Sequence, residues 1–235
     1  MKVISLVCQK GGSAKSTAAI NLAVEATSRG LEVALIDLDP QVSACNWADV
    51  RVQDGERPPT VVATPVPHLG RALKVAEEAG ADLVIVDTAG RTNDAALAAV
   101  RAADLVLVPI QASKADLDTL AATLDVIKTG GNKPTRVILS RVRAVGSRRA
   151  DAAEWITSQG VEVCPVSLGD RIIYQDSYAR GLSVTEAEPS GAAANEVRQI
   201  YAYVAKILSL STKGASNVRK VSRKDAKAAS PVSVG

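Results

Sequence analysis

The sequence predicts an α/β fold, one domain with a mostly parallel, twisted sheet flanked by helices. Three observations carry that expectation. Short apolar, β-branched runs alternate along the chain with longer Ala-rich stretches of helical character. Leu83-Val84-Ile85-Val86 and Leu105-Val106-Leu107-Val108 are apolar at every position, as strands covered by helices on both faces are. Gly30, Gly80, Gly130 and Gly160 each fall just after a helical stretch, where helices commonly stop.

Taken in order, strands are expected at 2–8, 32–37, 60–64, 82–87, 104–109, 135–140 and 163–167. Helices are expected between them at 15–29, 68–79, 93–102, 114–129, 148–159, 170–180 and 191–210. The segment from Gln53 to Pro67 is polar and carries Pro58, Pro59, Pro65 and Pro67, so it reads as a connection around one short strand. No internal repeat of solenoid length is visible.

At 235 residues the chain has room for one full core. From Ser211 onward Lys213, Arg219, Lys220, Arg223, Lys224 and Lys227 face Asp225 alone, so the body is mildly acidic and the tail basic. That tail has too little apolar content to offset ordering entropy, which divides the chain into a domain over 1–210 and a flexible basic tail over 211–235. Aromatic residues make up 3% of the chain and Phe is absent, which argues against base-stacking platforms. Cys8, Cys45 and Cys164 are far apart, so neither a disulfide framework nor a metal cluster is expected. The first strand begins at once, no signal peptide is expected, and no apolar run reaches the roughly 18 residues of a membrane span. A cytoplasmic location follows as the expectation.

The chemistry begins at Lys10-Gly11-Gly12-Ser13-Ala14-Lys15-Ser16-Thr17, between the first strand and the first helix. A strand, a glycine-rich loop and a helix in that order make a phosphate cradle. Backbone N–H groups converge on anionic oxygens above the positive end of the helix dipole. Residues Gly11 through Thr17 are the candidate nucleotide-binding segment, with Lys15 reaching the β- and γ-phosphates and Ser16 binding Mg²⁺. Asp87 ends one apolar run, and Asp37 and Asp39 end another in Ile36-Asp37-Leu38-Asp39-Pro40-Gln41. In a parallel sheet these carboxyl ends open on the same edge as the loop. One site would then gather Lys15, Ser16, Asp39 and Asp87, although strand-end aspartates also serve simply as caps.

With both halves in view, the chain resembles the ParA/MinD family of deviant Walker ATPases over nearly all of residues 1–210. Lys10-Gly11-Gly12 followed by Lys15-Ser16-Thr17 is similar to the family's loop, Asp37-Leu38-Asp39-Pro40-Gln41 to its switch I, and Asp87-Thr88 to its Walker B end. Pro109-Ile110-Gln111-Ala112-Ser113 and Arg171 through Val184 are similar in spacing and character. The resemblance implies ATP and Mg²⁺ as cofactors, with Mg²⁺ near Ser16, Asp39 and Asp87. It also implies a catalytic set of Lys10, Lys15 and Asp39. Lys10 would reach across an ATP-sandwich homodimer, and Asp39 would orient the hydrolytic water. It further implies a short partition protein without an N-terminal helix-turn-helix. Such a protein binds DNA non-specifically, is nucleoid-associated, and is released when a ParB-like adaptor on a plasmid, chromosome or other cargo stimulates hydrolysis.

Arg171, Arg180, Arg198 and Lys206 near the last helix, with Lys213, Arg219 and Lys220 of the tail, are the candidate DNA contacts. Arg141, Arg143, Arg148 and Arg149 form a second basic cluster. A MinD-like amphipathic membrane helix lacks large anchors here, since the tail offers only Val218, Val221, Val232 and Val234, so no stable membrane association is expected. Ser113-Lys114-Ala115-Asp116 resembles a guanine-reading segment but lies one strand after Asp87. Its Asp116 suits the first turn of the following helix instead. His68 reads as an exposed loop residue. Ala14 departs from the family pattern, standing where a glycine lies against the phosphates. If its φ is positive, alanine costs roughly 1 kcal/mol there. Two readings follow: the loop tolerates the methyl, or the protein is a hydrolysis-impaired nucleotide-binding scaffold.

Overall fold

A computed structural model describes residues 1–55, 57–90, 93–143 and 147–211. Seven strands form one sheet: β1 (Lys2–Leu6), β2 (Val33–Asp37), β3 (Thr60–Ala63), β4 (Leu83–Asp87), β5 (Leu105–Gln111), β6 (Thr135–Ser140) and β7 (Glu162–Val163). Their order is β3-β2-β4-β1-β5-β6-β7, and every neighbouring pair is parallel. The expected fold class is what forms.

The helices are α1 (Lys15–Ser28), α2 (Ser43–Arg51), α3 (Leu69–Glu78), α4 (Asn93–Ala102), α5 (Lys114–Leu117), α6 (Leu120–Thr129), α7 (Arg148–Ser158), α8 (Ile173–Ala179), α9 (Val184–Ala187) and α10 (Ala192–Leu208). They cover both faces of the sheet. Ile4, Leu6, Leu35, Leu83 and Ile85 point to a core shared with α1, α2, α9 and α10. Val3, Ile36, Val84, Val86 and Val106 point the other way, toward α3, α4, α6 and α7. Successive side chains of a strand face opposite sides, so a strand buried on both faces must be apolar throughout. β4 is buried at all five positions.

The structure corrects several expected elements. The helix expected over 114–129 is two helices. The Thr119 hydroxyl donates to Asp116 O at 2.7 Å and the Thr119 N–H to the same oxygen at 3.0 Å, tightening the turn at 118–119. Of the expected strand 163–167 only Val163 is in the observed Glu162–Val163, and Pro165 has no N–H to extend the ladder. The helix expected from 170 starts at Ile173, and α2 and α9 were not expected at all. Gly30, Gly80 and Gly160 have positive φ after their helices, but Gly130 has φ −78°. Space is what Gly130 supplies, since a Cβ there would lie 2.3 Å from Val100 Cγ1 on α4. Among the described residues no helix is long and apolar enough to cross a membrane. Lys213, Arg219 and Lys220 lie outside the described residues.

Candidate functional site

The segment between β1 and α1 is pinned from three sides. Gln9 N–H donates to Thr123 Oγ1 on α6 at 3.2 Å, Gln111 Nε2 at the end of β5 donates to Gly12 O at 3.2 Å, and Ser140 Oγ at the end of β6 donates to Ser13 O at 3.0 Å. Switch-like residues close from the fourth side. Thr88 Oγ1 donates to Leu6 O at 2.7 Å, and a Cβ on Gly90 would come within 2.7 Å of Gly11 N. Only glycine lets those two backbones approach so closely.

Gly11 and Gly12 are exposed, whereas Ser13 and Lys15 are buried. Ser13 Oγ is buried without a hydrogen-bond partner. Lys15 Nζ donates to Lys10 O at 3.1 Å. Ala14 is the N-cap of α1 with φ 73° and ψ 27°, so the condition that makes alanine costly is met. Val42, the N-cap of α2 just after Asp39-Pro40-Gln41, has φ 46° and ψ 41°, an outlier for a β-branched side chain.

The aspartates part company on the same edge. Asp37 pairs in register with Asp87, so β2 and β4 deliver both to one place. Asp37 is a cap: Oδ1 accepts the Asp39 N–H at 2.9 Å, and Oδ2 accepts Ala44 N–H at 2.9 Å and Cys45 N–H at 3.4 Å. Burial pushes its carboxyl above the usual range against those three N–H groups. Asp39 is half-buried, and its Oδ1 accepts the Gln41 N–H at 2.9 Å. Asp87 is fully buried, and neither carboxylate oxygen has a hydrogen-bond partner at normal geometry. Burial pushes it up to about 7; the Ser16 hydroxyl and Lys15 favour its charge, while Asp37 and Asp39 oppose it. The edge therefore brings Lys10, Lys15, Ser16, Asp39 and Asp87 into one neighbourhood. Among the described residues no cluster of three or more His, Cys, Asp or Glu side chains is arranged to hold a metal on its own.

A cleft of about 200 Å³ opens beside the loop, lined by Ala14, Thr17, Asn21, Arg171, Tyr174 and Leu182 among others. Glu196 on α10 shapes one wall: it accepts from Arg171 Nη2 at 2.7 Å, Gly169 N–H at 2.9 Å and Tyr174 Oη at 3.2 Å. Asn21 ties the opposite wall, taking the Val184 N–H on Oδ1 at 2.9 Å and giving Nδ2 to Thr17 O at 2.8 Å. The sequence carries little sign of Glu196 or Asn21, because their partners lie far away along the chain.

The basic residues are not gathered into one patch. Arg171 lines the cleft with its charge met by Glu196, whereas Arg198 lines a separate surface groove and donates to Pro189 O at 2.6 Å. Arg180 and Lys206 are exposed on different helical segments. Arg141, Arg143, Arg148 and Arg149 do share a groove with Gln111, Ser113 and Asp170. His68 is exposed, at the end of a 3-10 turn before α3. Asp116 takes the first turn of α5 as expected, and beyond that expectation it pairs with Lys10.

Residues 4–184 match the model of the CobQ/CobB/MinD/ParA nucleotide-binding domain. The chromosome-partitioning ATPase Soj of Thermus thermophilus is 32% identical over 164 residues, covering 57% of this chain and 66% of Soj. The protein ParA of Rhizobium radiobacter is 32% identical over 129 residues, covering 54% of this chain and 56% of that protein. The match thus spans less than two thirds of the length of either relative. The fold is shared with the septum site-determining protein MinD of Pyrococcus horikoshii complexed with Mg-ADP, with a TM-score of 0.71 at 17% identity over 88% of this chain and 97% of that one.

Proposed function

Because the chain belongs to the CobQ/CobB/MinD/ParA nucleotide-binding family, we propose that it is a ParA-type, Mg²⁺-dependent ATPase that dimerises on ATP and positions or segregates a large cargo. In the ATP-bound state the homodimer holds DNA non-specifically, and a ParB-like adaptor on the cargo stimulates hydrolysis and release. The observation that carries this reading is the sheet edge where Lys10, Lys15, Ser16, Asp39 and the unpartnered, buried Asp87 meet around a phosphate-cradling loop.

The residues present fit both cofactors. A pinned loop with exposed glycines, a buried lysine and an unpartnered Ser13 hydroxyl suits a polyphosphate. An all-oxygen donor set, with one buried carboxylate whose oxygens lack partners, suits Mg²⁺, which keeps waters and phosphate oxygens as most of its ligands. Ser16 and Asp87 would hold it, Asp39 would act through its waters, and the ion would neutralise charge developing on the phosphates. Lys15 supplies a cation to the phosphates and Asp39 a carboxylate oxygen to orient water. The cleft lined by Thr17, Asn21 and Tyr174 is the place for the base. Residues 1–210 act as the ATPase domain and 211–235 as a basic tail that adds phosphate contacts, in the cytoplasm on the nucleoid, without stable membrane association. Arg180, Arg198 and Lys206 join the tail in holding DNA. Arg171 contributes less, since Glu196 already meets its charge.

One observation favours a second reading. The left-handed φ of Ala14 is consistent with a scaffold that binds nucleotide and hydrolyses it poorly. ADP production with random-sequence DNA and the adaptor separates the two. Turnover in the native protein, lowered about 10²-fold or more in Asp39→Ala with nucleotide binding retained, supports the ATPase. Nucleotide binding with no ADP above the blank supports the scaffold.

A further inference from the structure

The start of α2 is held by side chains of two other elements. Asp37 Oδ2 at the end of β2 accepts the Ala44 N–H at 2.9 Å and the Cys45 N–H at 3.4 Å, while Tyr178 Oη on α8 donates to Ser43 O at 2.8 Å. A tight turn joins Ser43 to Asp39. In it the Val42 N–H donates to Asp39 O at 2.8 Å and the Gln41 N–H to Asp39 Oδ1 at 2.9 Å. Val42 sits in that turn with φ 46°. A β-branched residue stays in left-handed backbone only where the contacts around it outweigh the strain. Among the described residues, Asp37 and Tyr178 are the side chains from other elements that hydrogen-bond the first turn of α2.

Tyr178 also belongs to the cleft. It stands four residues after Tyr174 on α8, so the two share a face, and both line the cleft of about 200 Å³ beside Ala14 and Thr17. The residue is 37% exposed, so a group entering the cleft can reach it. Burial, and after it the Asp37 carboxylate, push its hydroxyl above the ordinary range, which keeps it a protonated donor at neutral pH. Further along, α2 is fastened to the same stretch of chain, through Trp47 Nε1 on Leu182 O at 3.2 Å and Arg51 Nη1 on Gly181 O at 3.0 Å. A shift of α8 and the residues after it is therefore felt by α2.

We propose that Tyr178 is a positioning residue whose hydroxyl sets the turn at residues 39–42 and so carries occupancy of the cleft to Asp39. This deepens the ATPase reading and rests on it, taking the cleft as the seat of the base and Asp39 as the residue that orients water. A base packed against Tyr178 restricts the ring, steadies its bond to Ser43 O and holds the Asp39 carboxylate in one direction. Phosphates then meet an ordered Asp39 only when the base is seated. The site thereby favours a complete nucleotide over inorganic polyphosphate.

The test follows backbone hydrogen exchange by mass spectrometry in the full chain with Mg²⁺, without ligand, with inorganic tripolyphosphate and with ATPγS. In wild type, residues 10–17 are expected to slow with either ligand and residues 39–46 with ATPγS alone. Tyr178→Phe keeps the ring and removes the donor. Without ligand it is expected to exchange about five- to tenfold faster over 39–46, as the loss of one hydrogen bond implies, and to lose most of the ATPγS protection there. Its turnover of ATP should fall about fivefold with KM unchanged, because the cleft wall remains. Equal exchange over 39–46 in the two proteins overturns the proposal. Faster exchange spread evenly over the sheet does so as well, since the hydroxyl would then be a purely structural tie. Slowing of 39–46 by tripolyphosphate as strong as by ATPγS also overturns it, because phosphates alone would then set Asp39. If neither ligand slows residues 10–17 in wild type, the nucleotide reading fails and the coupling with it.

Discussion

Ala14 and Val42 bracket the site with backbone that their side chains disfavour. Ala14 has φ 73° at the start of α1 and Val42 has φ 46° at the start of α2. A Cβ in the left-handed region costs roughly 1–2 kcal/mol, and such strain gathers at ligand loops and switches. Replacing Ala14 by glycine removes that cost while adding unfolded-state entropy of about 0.4–1 kcal/mol. Ala14→Gly is therefore expected to stabilise the chain by about 0.5–1 kcal/mol, a rise of about 2 °C in melting temperature. A fall in melting temperature on that substitution contradicts the strain. The departure at Ala14 was visible in the sequence. Val42 was not, because nothing local marks a valine that the Asp37 cap on Ala44 and Cys45 forces into a left-handed turn.

Long-range anchors hold the elements that the sequence left unread. α2 shows no clean apolar stripe, yet Trp47 is fully buried and donates Nε1 to Leu182 O at 3.2 Å. Arg51 sits with its guanidinium 5.0 Å from the Trp47 ring centroid and donates to Pro58 O, Gly181 O and both Glu186 oxygens. Glu186 also closes the Ser183 capping box of α9, so one ion pair joins two helices. Burial pushes the Glu186 carboxyl up, but Arg51 and the Ser183 N–H outweigh it and hold it below its ordinary 4.5. Its contribution is therefore present above pH 4.5 and is lost as pH falls through its folded value. Glu186→Gln is expected to lower stability at neutral pH by about 1–3 kcal/mol, because Arg51 stays buried with its charge unmatched. The difference from wild type should shrink in denaturant melts below pH 4.5; a pH-independent difference contradicts the pairing. β4 and β5, by contrast, were legible because strands covered on both faces write an unbroken apolar run.

Across the whole molecule, the parallel sheet turns separate sequence motifs into one site. β1, β2 and β4 are neighbours and end together, so Lys10, Lys15, Asp39 and Asp87 meet although the chain spreads them from residue 10 to residue 87. Those residues could be picked out in advance because loop chemistry and strand-end aspartates are local signals. The Asp116 clasp on Lys10 and the Glu196 brace of the cleft were not legible, since each joins segments that only the sheet and its helices bring together. Charge was the least legible at this scale. Clustering along the chain suggested a basic surface near the last helix beside a second cluster of Arg141, Arg143, Arg148 and Arg149, but the fold splits the first, with Arg171 in the cleft and Arg198 in another groove. If the chain acts as proposed, DNA retention depends on a dimer that doubles scattered contacts, which makes it sensitive to nucleotide. The most direct measurement is a gel shift on random-sequence DNA with Mg-ATP, comparing the native protein with Lys15→Ala. Retardation that needs ATP and is abolished in Lys15→Ala is the expected result. Equal DNA binding by both proteins, with or without ATP, would contradict a nucleotide-driven switch.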